Sequence, residues 1–392
     1  MLREEIEINT IPVGKLGIIA MKGCEKLAAS IDYYLSTWRR NRDSEHKDTL
    51  ALSGYERDSY LIRVDTPRFG SGEAKGVIYD SARGMDIYIL CDVCNSSITY
   101  KMSGMTNHMS PDDHFQDLKR IIGAIGGKAN RVTVIMPFLY ESRQHKRSAR
   151  ESLDCAMALE ELYALGVSSI ITFDAHDPRV VNAAPMNNFE NLRASYQFLK
   201  YLCKNEKGIK FDKEHLLMVS PDEGAIDRSV YFASILGLEM GMFYKRRDFS
   251  QVVNGSNPIV AHEYMGCSPE GKDVIVVDDM ISSGGSMIDT AKELKKRGAK
   301  NVYVFSTFGL FTNGLEKFDK AYEDGLIRRV LTTNGTYQSP ELLEREYYIS
   351  VDISKYTSYF IDSLNHNASV SDLLDPTYKI NALLERYNSQ EA

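Results

Sequence analysis

Two adjacent carboxylates and a run of small polar residues follow an apolar stretch of the sequence. The stretch reads VIVVDDMISSGGSM and runs from Val274 to Met287. A strand that turns into a helix through such a loop gathers backbone N–H groups that bind phosphate. Asp278 and Asp279 would repel a phosphate, but they can accept hydrogen bonds from sugar hydroxyls and help to hold a magnesium ion. The stretch therefore predicts a sugar-phosphate site.

The phosphate side of this site consists of five small residues, Ser282, Ser283, Gly284, Gly285 and Ser286. Glycine lets the backbone approach the ligand closely, and the serine hydroxyls add donors. A helix that begins near Ser286 adds the positive end of its dipole. The plain alternative is a capped turn with a glycine loop. The phosphate site is favoured because all its parts follow one another in the expected order: the apolar run, both acids, the serines and the helix.

Short apolar runs alternate with amphipathic segments of helix length along the chain. The runs are rich in Val and Ile and hardly alternate, which is typical of strands covered on both faces of a parallel sheet. Strands are predicted over 86–92, 131–137, 168–174, 216–220, 273–279 and 301–308. Helices are predicted over 151–166 and 286–298, each ending at a glycine. This alternation predicts an α/β fold, and its recurrence indicates two similar halves.

The composition excludes several classes of function. The chain has 392 residues and a net charge of −7, which argues against a broad nucleic-acid-binding face. No apolar run approaches the ~20 residues that span a bilayer, and the N-terminus lacks the apolar core of a signal peptide. The six cysteines do not form a disulfide pattern, and Cys91 and Cys94 are expected to be structural thiols. A cytoplasmic protein is expected, with no nucleic-acid or membrane partner.

Two segments are expected to lie outside the α/β framework. Residues 38–58 are polar and weakly periodic, so they are predicted to form a surface insertion. Asp375 and Pro376 form a typical helix start, and apolar residues follow at helical spacing. The tail is therefore predicted to be a short amphipathic helix that docks on its own chain.

VIVVDDMISSGGSM resembles the ribose-phosphate-binding signature that type I phosphoribosyltransferases share with ribose-phosphate pyrophosphokinases (PRPP synthetases). Four further stretches resemble the second family. The first, RFGSGEAKGVIYDSARGMDIYIL (68–90), is similar to its Phe-Ser-Asp-Gly-Glu segment. In the family, the aromatic ring stacks on the adenine of ATP, the acids bind the adenine edge, and a neighbouring subunit shares the site. The resemblance implies ATP binding by Phe69 and Glu73, with Ser71 in place of the usual aspartate.

The second stretch, YESRQHKRSARESL (140–153), resembles the family's Tyr-Ala-Arg-Gln-Asp loop. One inserted residue aligns Arg143 and Gln144 with the Arg-Gln pair of the ATP site and puts His145 in place of the aspartate. Without the insertion, Ser142 would take the position of the arginine. The stretch also forms a basic island in an acidic protein, which suits a polyphosphate clamp. Its members are Arg143, Lys146, Arg147 and Arg150.

The third stretch, IITFDAHDPRV (170–180), is similar to the family's Asp-Leu-His-Ala motif. The resemblance implies that His176 contacts the magnesium and the phosphates and aids the transfer. VSPDEGAIDR (219–228) belongs with it and resembles the family's Ser-Pro-Asp-x-Gly-Gly turn, with Ala225 for the second glycine. Asp222 would then hold ribose hydroxyls or a second magnesium ion.

The fourth stretch, YKRRDFSQV (244–252), resembles the family's flexible catalytic loop, Lys-Arg-Arg-Pro. The resemblance implies that Lys245 and Arg247 close over the transferring phosphates and stabilise the charge that develops there. Ser282 stands where many members of the family have an acid.

The resemblance covers most of residues 15–374 and implies two tandem phosphoribosyltransferase-like domains, each a mainly parallel sheet flanked by helices. The ATP-side domain is expected to comprise 1–186 and about 355–392, and the ribose-5-phosphate domain 187–354. The implied enzyme is a ribose-phosphate diphosphokinase. It transfers the β,γ-diphosphoryl group of Mg-ATP to the C1 hydroxyl of ribose 5-phosphate and gives PRPP and AMP. Its cofactor is Mg²⁺, and homodimers that build a hexamer are expected.

Two alternatives stay open at this point. A type I phosphoribosyltransferase would share the signature, but such enzymes are much shorter and lack the segments at 68–73 and 245–247. A regulatory homologue without activity would keep the fold and lose loop or metal residues. Ser71 and the alignment at Arg143 keep this second alternative open, while the presence of the catalytic-loop and metal-site residues argues against it.

Overall fold

The computed structural model of the chain describes residues 11–44, 54–147, 150–247 and 259–391. The strands are β1 (Lys15–Ala20), β2 (Leu61–Ile62), β3 (Val64–Asp65), β4 (Val77–Ile78), β5 (Met85–Leu90), β6 (Thr99–Met102), β7 (Met105–His108), β8 (Arg131–Ile135), β9 (Ser169–Phe173), β10 (Asn188–Leu192), β11 (Leu216–Ser220), β12 (Glu239–Arg247), β13 (Ile259–Gly266), β14 (Asp273–Ile281), β15 (Val302–Gly309), β16 (Arg329–Thr333) and β17 (Tyr348–Val351). The helices are α1 (Glu25–Ser44), α2 (Pro111–Ile125), α3 (Asp154–Ala164), α4 (Ser195–Asn205), α5 (Ile226–Leu236), α6 (Gly285–Lys296), α7 (Glu316–Glu323), α8 (Pro340–Leu343), α9 (Ser354–Asn365), α10 (Ser371–Leu374) and α11 (Thr377–Glu391).

The chain divides into two compact units. Unit 1 contains the chain up to Arg193 together with Gly335–Tyr337 and Asp352–Asp375. Unit 2 contains Ala194–Asn334, Gln338–Val351 and the segment from Pro376 onwards. The predicted α/β fold with two similar halves is confirmed, because each unit is built on a mainly parallel sheet with helices along its chain.

The sheet of unit 1 has six strands in the order β10-β9-β8-β5-β1-β2, and all its paired strands are parallel. Every residue of β5 and β9 is buried, as expected of inner strands covered on both faces. The carboxyl ends of parallel strands lie at one edge of the sheet. The loops that carry the predicted ATP-side residues at 140–147 and 174–176 follow β8 and β9 at that edge.

The sheet of unit 2 has seven strands in the order β13-β12-β11-β14-β15-β16-β17. Only the pair formed by β12 and β13 is antiparallel. The central strand β14 is buried through its first five residues, and its last four alternate between buried and half-buried positions. The polar residues that begin with Asp278 therefore lie where β14 leaves the core.

The tail helix α11 docks on unit 2, whereas the sequence had assigned all of 355–392 to the first domain. Residues 355–375 do belong to unit 1. Ile380 is fully buried. The Tyr387 hydroxyl donates to the carbonyl of Glu206 at 3.0 Å and accepts from the amide of Ile209 at 3.2 Å. The tail belongs to unit 2 because these side chains are buried there. Their burial could not be read from the position of the tail in the sequence. Docking on the chain itself was predicted correctly.

The predicted surface insertion at 38–58 is only partly a surface feature. Its first part continues α1, and residues 45–53 lie outside the described ranges. Arg39 and Tyr55 are buried, and the Trp38 ring stacks on Tyr359 of α9 at 4.5 Å between ring centres. Polar composition misled the prediction here because the buried arginine is paired with a buried carboxylate.

A buried network of charged groups joins α1, α9 and the sheet of unit 1. Arg39 donates to Asp362 at 3.2 Å and to the side-chain oxygen of Asn365 at 2.6 Å. The Asn365 amide donates to Asp86 at 2.8 Å, and Arg131 donates to the same carboxylate at 2.7 Å. Burial alone would raise the pKa of Asp362, but the neighbouring arginines outweigh it and hold the pKa below its usual value. The carboxylate is therefore ionised, and its charge is compensated.

All six cysteines are free thiols, and all lie in the described ranges. Burial, followed by the charge of Asp92, raises the pKa of Cys91 and of Cys94. Thiols of raised pKa are poor nucleophiles, so these two residues fit the predicted structural role. No helix within the described residues is long and apolar enough to cross a membrane.

Asp362→Asn should destabilise unit 1 strongly. The substitution keeps the shape of the side chain but leaves Arg39 buried without its counter-charge, a loss of about 3–5 kcal/mol. Urea unfolding followed by the fluorescence of Trp38, the single tryptophan of the chain, measures the change at the contact between α1 and α9. Asp80→Asn is the control, because Asp80 pairs with Arg63 at the surface. Equal destabilisation by both variants would contradict the role given to the buried network.

Candidate active site

Asp278 and Asp279 lie side by side near the end of β14. The amide of Asp279 donates to Oδ1 of Asp278 at 2.9 Å. Burial raises the pKa of Asp278 well above its usual value, and the negative charges of Asp279 and Asp222 raise it further. Three carboxylates therefore influence one another at this edge of the sheet. Hydroxyl donors or a cation would relieve their repulsion.

The loop after the two acids depends on Gly284. Its φ of +79° lies in the left-handed region, and an added Cβ would lie 2.1 Å from the ring of Phe318 in α7. The carbonyl of Ser282 accepts from the amide of Thr312 at 3.0 Å, which ties the loop to the chain after β15. Glycine is therefore required by both backbone and packing at 284.

Helix α6 begins directly after this turn, and Gly284 is its N-cap residue. The first N–H groups of a helix have no acceptor within the helix and carry the positive end of its dipole. Glycine has no side chain with which to cap them. Ser282 and Ser283 are half-buried beside the turn, and Ser286 is exposed on the first turn. The arrangement suits an anion bound by backbone amides next to two carboxylates that accept hydroxyl hydrogens.

Asp222 follows β11, the strand that pairs with β14. Its carboxylate accepts from the amide of Gly224 at 3.0 Å, and the Ser220 hydroxyl donates to its carbonyl at 2.7 Å. Ala225, which replaces the second glycine of the family turn, has a φ of −97°. That value is open to any residue, so the alanine is compatible with the turn.

The predicted adenine-binding residues form one tight turn of unit 1. The amide of Phe69 donates to the carbonyl of Glu73 at 2.7 Å, and the Ser71 hydroxyl donates to the Glu73 carboxylate at 2.8 Å. The Phe69 residue is 54% exposed. Ser71 therefore orients Glu73 instead of adding a second acid, and an exposed ring lies in the same turn.

The loop after β8 carries Arg143 and Gln144. Ser142 is buried, whereas Arg143 is exposed. Burial and Asp92 raise the pKa of Cys94, and the positive charge of Arg143 opposes this shift, so the guanidinium lies near the end of β5. The exposure of Arg143 favours the alignment with one inserted residue. Gln144 is occupied in holding the loop, because its amide donates to the carbonyl of Ser152 at 2.9 Å.

His176 follows β9 in a loop fixed by the neighbouring strand. The amide of Asp174 donates to the carbonyl of Leu192 at 2.8 Å, and the amide of Ala175 donates to the side-chain oxygen of Asn191 at 3.0 Å. The ring of His145 lies 5.4 Å from the ring of His176, measured between centres. The structure thus brings the loops after β8 and β9 together at the carboxyl edge of the sheet.

Asp177 is a residue that the sequence interpretation did not single out. Its carboxylate lies 3.2 Å from Nε2 of His145 and accepts from Arg179 at 2.9 and 2.5 Å. The hydrogen bonds from Arg179 lower the pKa of Asp177 to about 2. Its signal was present in the sequence, since Asp177 stands at the alanine of the Asp-Leu-His-Ala motif.

Lys245 and Arg247 lie at the end of β12. Their backbones continue the strand, with Lys245 opposite His262 and Arg247 opposite Ile259 of β13, and the register shifts before Arg247. The sequence had placed both residues in a flexible loop, so the structure differs at this point. The side chains, and residues 248–258, lie outside the described part of the molecule.

The predicted site residues thus fall into two groups, one on each unit. In unit 2, Asp222 acts electrostatically on Asp278, the first of the two acids of β14 that lead into the small polar loop. In unit 1, the group of Arg143, Gln144 and His176 lies on neighbouring strand-end loops. Phe69, Ser71 and Glu73 form a turn of their own in the same unit.

Comparison with known protein families gives two matches along the chain. Residues 16–166 match the model described as the N-terminal domain of ribose phosphate pyrophosphokinase. Residues 188–345 match that of the phosphoribosyl transferase domain. Together they account for the two units as tandem phosphoribosyltransferase-related domains. The chain belongs to the ribose-phosphate pyrophosphokinase family, which is a family of enzymes.

Individual relatives agree with this assignment. The chain is 26% identical over 314 residues to a ribose-phosphate pyrophosphokinase from Vibrio cholerae, across 79% of this chain and 90% of the relative. It is 28% identical over 250 residues to one from Ralstonia nicotianae, across 63% of this chain and 70% of the relative. The crystal structure of phosphoribosylpyrophosphate synthetase from Mycobacterium smegmatis has a TM-score of 0.68 and 20% identity. It covers 90% of this chain and 100% of its own, and it shares the fold.

Gly284→Ala should destabilise unit 2. A non-glycine residue in the left-handed region costs about 1–2 kcal/mol, and the contact with Phe318 adds to that. Gly285→Ala is the matched control, because its added Cβ would meet nothing closer than the Ser283 hydroxyl at 3.9 Å. The melting temperature should fall for the first variant and stay near that of the wild type for the second. Equal losses would argue against the special role of Gly284.

Asp278→Asn should stabilise the protein without ligand at neutral pH. The unfolded carboxyl has a pKa of about 3.9. Between that value and the raised pKa of the folded state, the folded protein holds a proton that the unfolded chain has released. Stability therefore falls as the pH rises through this window. The fall should be smaller in the variant, and its melting temperature should be higher at pH 7. Parallel profiles of melting temperature against pH would contradict the assigned repulsion.

Proposed function

We propose that this chain is a ribose-phosphate diphosphokinase that transfers the β,γ-diphosphoryl group of Mg-ATP to the C1 hydroxyl of ribose 5-phosphate, giving PRPP and AMP. The observation that carries the proposal is the edge of unit 2, where two carboxylates lead into a glycine turn and the start of a helix. This is the arrangement that a ligand with a diol and a phosphate requires, and it occurs in a chain of this family.

On the ribose side, the 5-phosphate lies on the backbone amides of the turn and the start of α6, with the hydroxyls of Ser282, Ser283 and Ser286 nearby. Asp278 and Asp279 accept hydrogen bonds from the ribose hydroxyls. Binding these hydroxyls orients the sugar and with it the C1 hydroxyl that attacks. The raised pKa of Asp278 is consistent with carboxylates whose repulsion is relieved when ribose hydroxyls donate to them.

On the nucleotide side, the exposed ring of Phe69 stacks on adenine and Glu73 binds its edge, oriented by Ser71. Arg143 binds phosphate oxygens through its guanidinium group, and Gln144 holds the loop that carries it. His176 contacts the phosphates. The proposal includes a homo-oligomer, because the adenine site is shared between subunits in the family.

In the reaction, the C1 oxygen attacks the β-phosphorus while the bond from that phosphorus to the oxygen of AMP breaks. The hydroxyl proton leaves to water, and negative charge builds on the nonbridging oxygens and on the leaving AMP. Lys245 and Arg247 neutralise this charge, so their contribution is electrostatic. No side chain needs to act as a strong base, because positioning and charge neutralisation lower the activation barrier.

The residues present fit a magnesium ion that is held jointly with substrate phosphates. Among the described residues, no group of three or more His, Cys, Asp or Glu side chains could hold a metal alone. Mg²⁺ usually keeps several waters and binds one or two carboxylates together with phosphates. On the nucleotide side, His176 is the residue proposed to contact it. Asp222 is proposed to hold ribose hydroxyls or a second magnesium ion. When bound, the ion neutralises phosphate charge.

Purified protein with ribose 5-phosphate, Mg²⁺ and ATP should form AMP and PRPP in equal amounts. ADP in place of AMP would indicate transfer of a single phosphoryl group. If no AMP forms at high protein concentration, the alternative of a non-catalytic regulatory homologue replaces the proposal.

Lys245→Ala should abolish most of the turnover and leave the binding of ribose 5-phosphate intact, because a charge that acts on the transferring group is needed only in the transition state. Initial rates of AMP formation and calorimetric binding of ribose 5-phosphate measure the two effects. Lys296→Ala is the control, since it removes an equal charge from the exposed end of α6. Unchanged turnover in Lys245→Ala would remove this residue from the mechanism.

A further inference from the structure

His145 and Asp177 form a contact between the loops that follow β8 and β9. Nε2 of His145 lies 3.2 Å from a carboxylate oxygen of Asp177, and both side chains are largely buried, with 12% and 10% exposed. A carboxylate only accepts hydrogen bonds, so a hydrogen bond across this contact requires a proton on Nε2. Asp177 itself accepts three hydrogen bonds from the Arg179 guanidinium and a fourth from the Arg179 amide at 2.9 Å.

The second nitrogen of the ring indicates which contact keeps His145 in place. Nδ1 is buried and has no hydrogen-bond partner among the residues that the structure describes. Leaving a buried polar atom unpaired is unfavourable. The ring is therefore held there by the contact through Nε2, in spite of the loss at Nδ1.

Both members of the pair depart from the family motifs, and the two departures meet in space. His145 stands in place of the aspartate of Tyr-Ala-Arg-Gln-Asp, and Asp177 stands in place of the alanine of Asp-Leu-His-Ala. A carboxylate at 145 would face the carboxylate of Asp177, and an alanine at 177 would leave His145 without its partner. The two departures are thus complementary, because the imidazole at 145 faces the carboxylate at 177.

We propose that His145 is a positioning residue, which with Asp177 forms a bridge that holds the loop of Arg143 and Gln144 against the loop of His176. The bridge lies one residue from Gln144 and one residue from His176, and the two histidine rings are 5.4 Å apart. The inference rests on the proposed function for its effect on ATP, but the bridge itself can be measured without any reaction.

A double-mutant cycle tests the bridge. His145→Asp brings two carboxylates together, and Asp177→Ala removes the partner of His145, so each single variant should loosen the loop. In the double variant the carboxylate at 145 faces alanine, as in the family motifs. Asp177→Ala should therefore be harmful in the wild-type background and beneficial in the His145→Asp background. His145→Gln, which keeps an N–H donor, should retain more function than His145→Asp.

Two readouts separate the bridge from the reaction. The first is the rate of trypsin cleavage after Arg143, Lys146 and Arg147 in the folded protein, which should rise in the single variants and recover in the double variant. The second is the split between KM for ATP and kcat. The single variants should raise KM for ATP about tenfold or more, the effect of losing one charge-assisted contact, with a smaller change in kcat.

His215→Ala is the matched control, because His215 lies 2.7 Å from Asp212 in an exposed pair on unit 2. It should change neither readout. Unchanged cleavage in His145→Asp and Asp177→Ala would overturn the bridge. Faster cleavage with unaltered KM and kcat would overturn its positioning role. If the wild-type protein forms no AMP, but trypsin cleavage rises in the single variants and recovers in the double variant, the proposed function is contradicted and the bridge is supported.

Discussion

Unit 1 depends on the compensation of two buried carboxylates, Asp86 and Asp362. Each accepts hydrogen bonds from arginine side chains contributed by distant parts of the chain, and Asn365 links the two sets. A buried charge is tolerated only when its partners are in place. This requirement fixes α1, α9 and the first residues of β5 and β8 relative to one another. The network lies at the amino ends of these strands, opposite to the edge that carries the loops with Arg143 and His176.

Buried carboxylates have opposite pKa shifts at the amino edge of the unit 1 sheet and at the carboxyl edge of the unit 2 sheet. At the amino edge of unit 1, arginine neighbours keep the pKa of Asp362 below its usual value, so the group stabilises the folded state at neutral pH. At the carboxyl edge of unit 2, burial and two acidic neighbours raise the pKa of Asp278, so the group destabilises the folded state when ionised. A fold tolerates such a site only where the gain is in binding or reaction. The contrast separates the carboxylates that stabilise the folded chain from those that are proposed to bind the ligand.

Much of the fold could be predicted because it follows from local patterns. Unbroken apolar runs indicated the inner strands, and glycines marked the helix ends at Gly166 and Gly298. The turn after β14 and the start of α6 could also be predicted, because the acids, the glycines and the helix start are consecutive in sequence. The binding of a sugar phosphate there stays a prediction. What could not be predicted depends on contacts between distant residues. The burial of Arg39 requires Asp362, the docking of α11 requires the carbonyl of Glu206, and the pairing of His145 requires Asp177.

The separation in sequence between Arg39 and Asp362 is 323 residues, and this bears on the order in which the molecule is assembled during synthesis. Domains made at the beginning of a chain generally fold first as they emerge from the ribosome. Here the first unit cannot complete its core in that way, because α9 is made only after all seven strands of the second sheet. Until then, the helix that carries Arg39 has no counter-charge to bury. The amino-terminal half of this protein is thus the first to be synthesised but cannot be finished until nearly the whole chain has emerged.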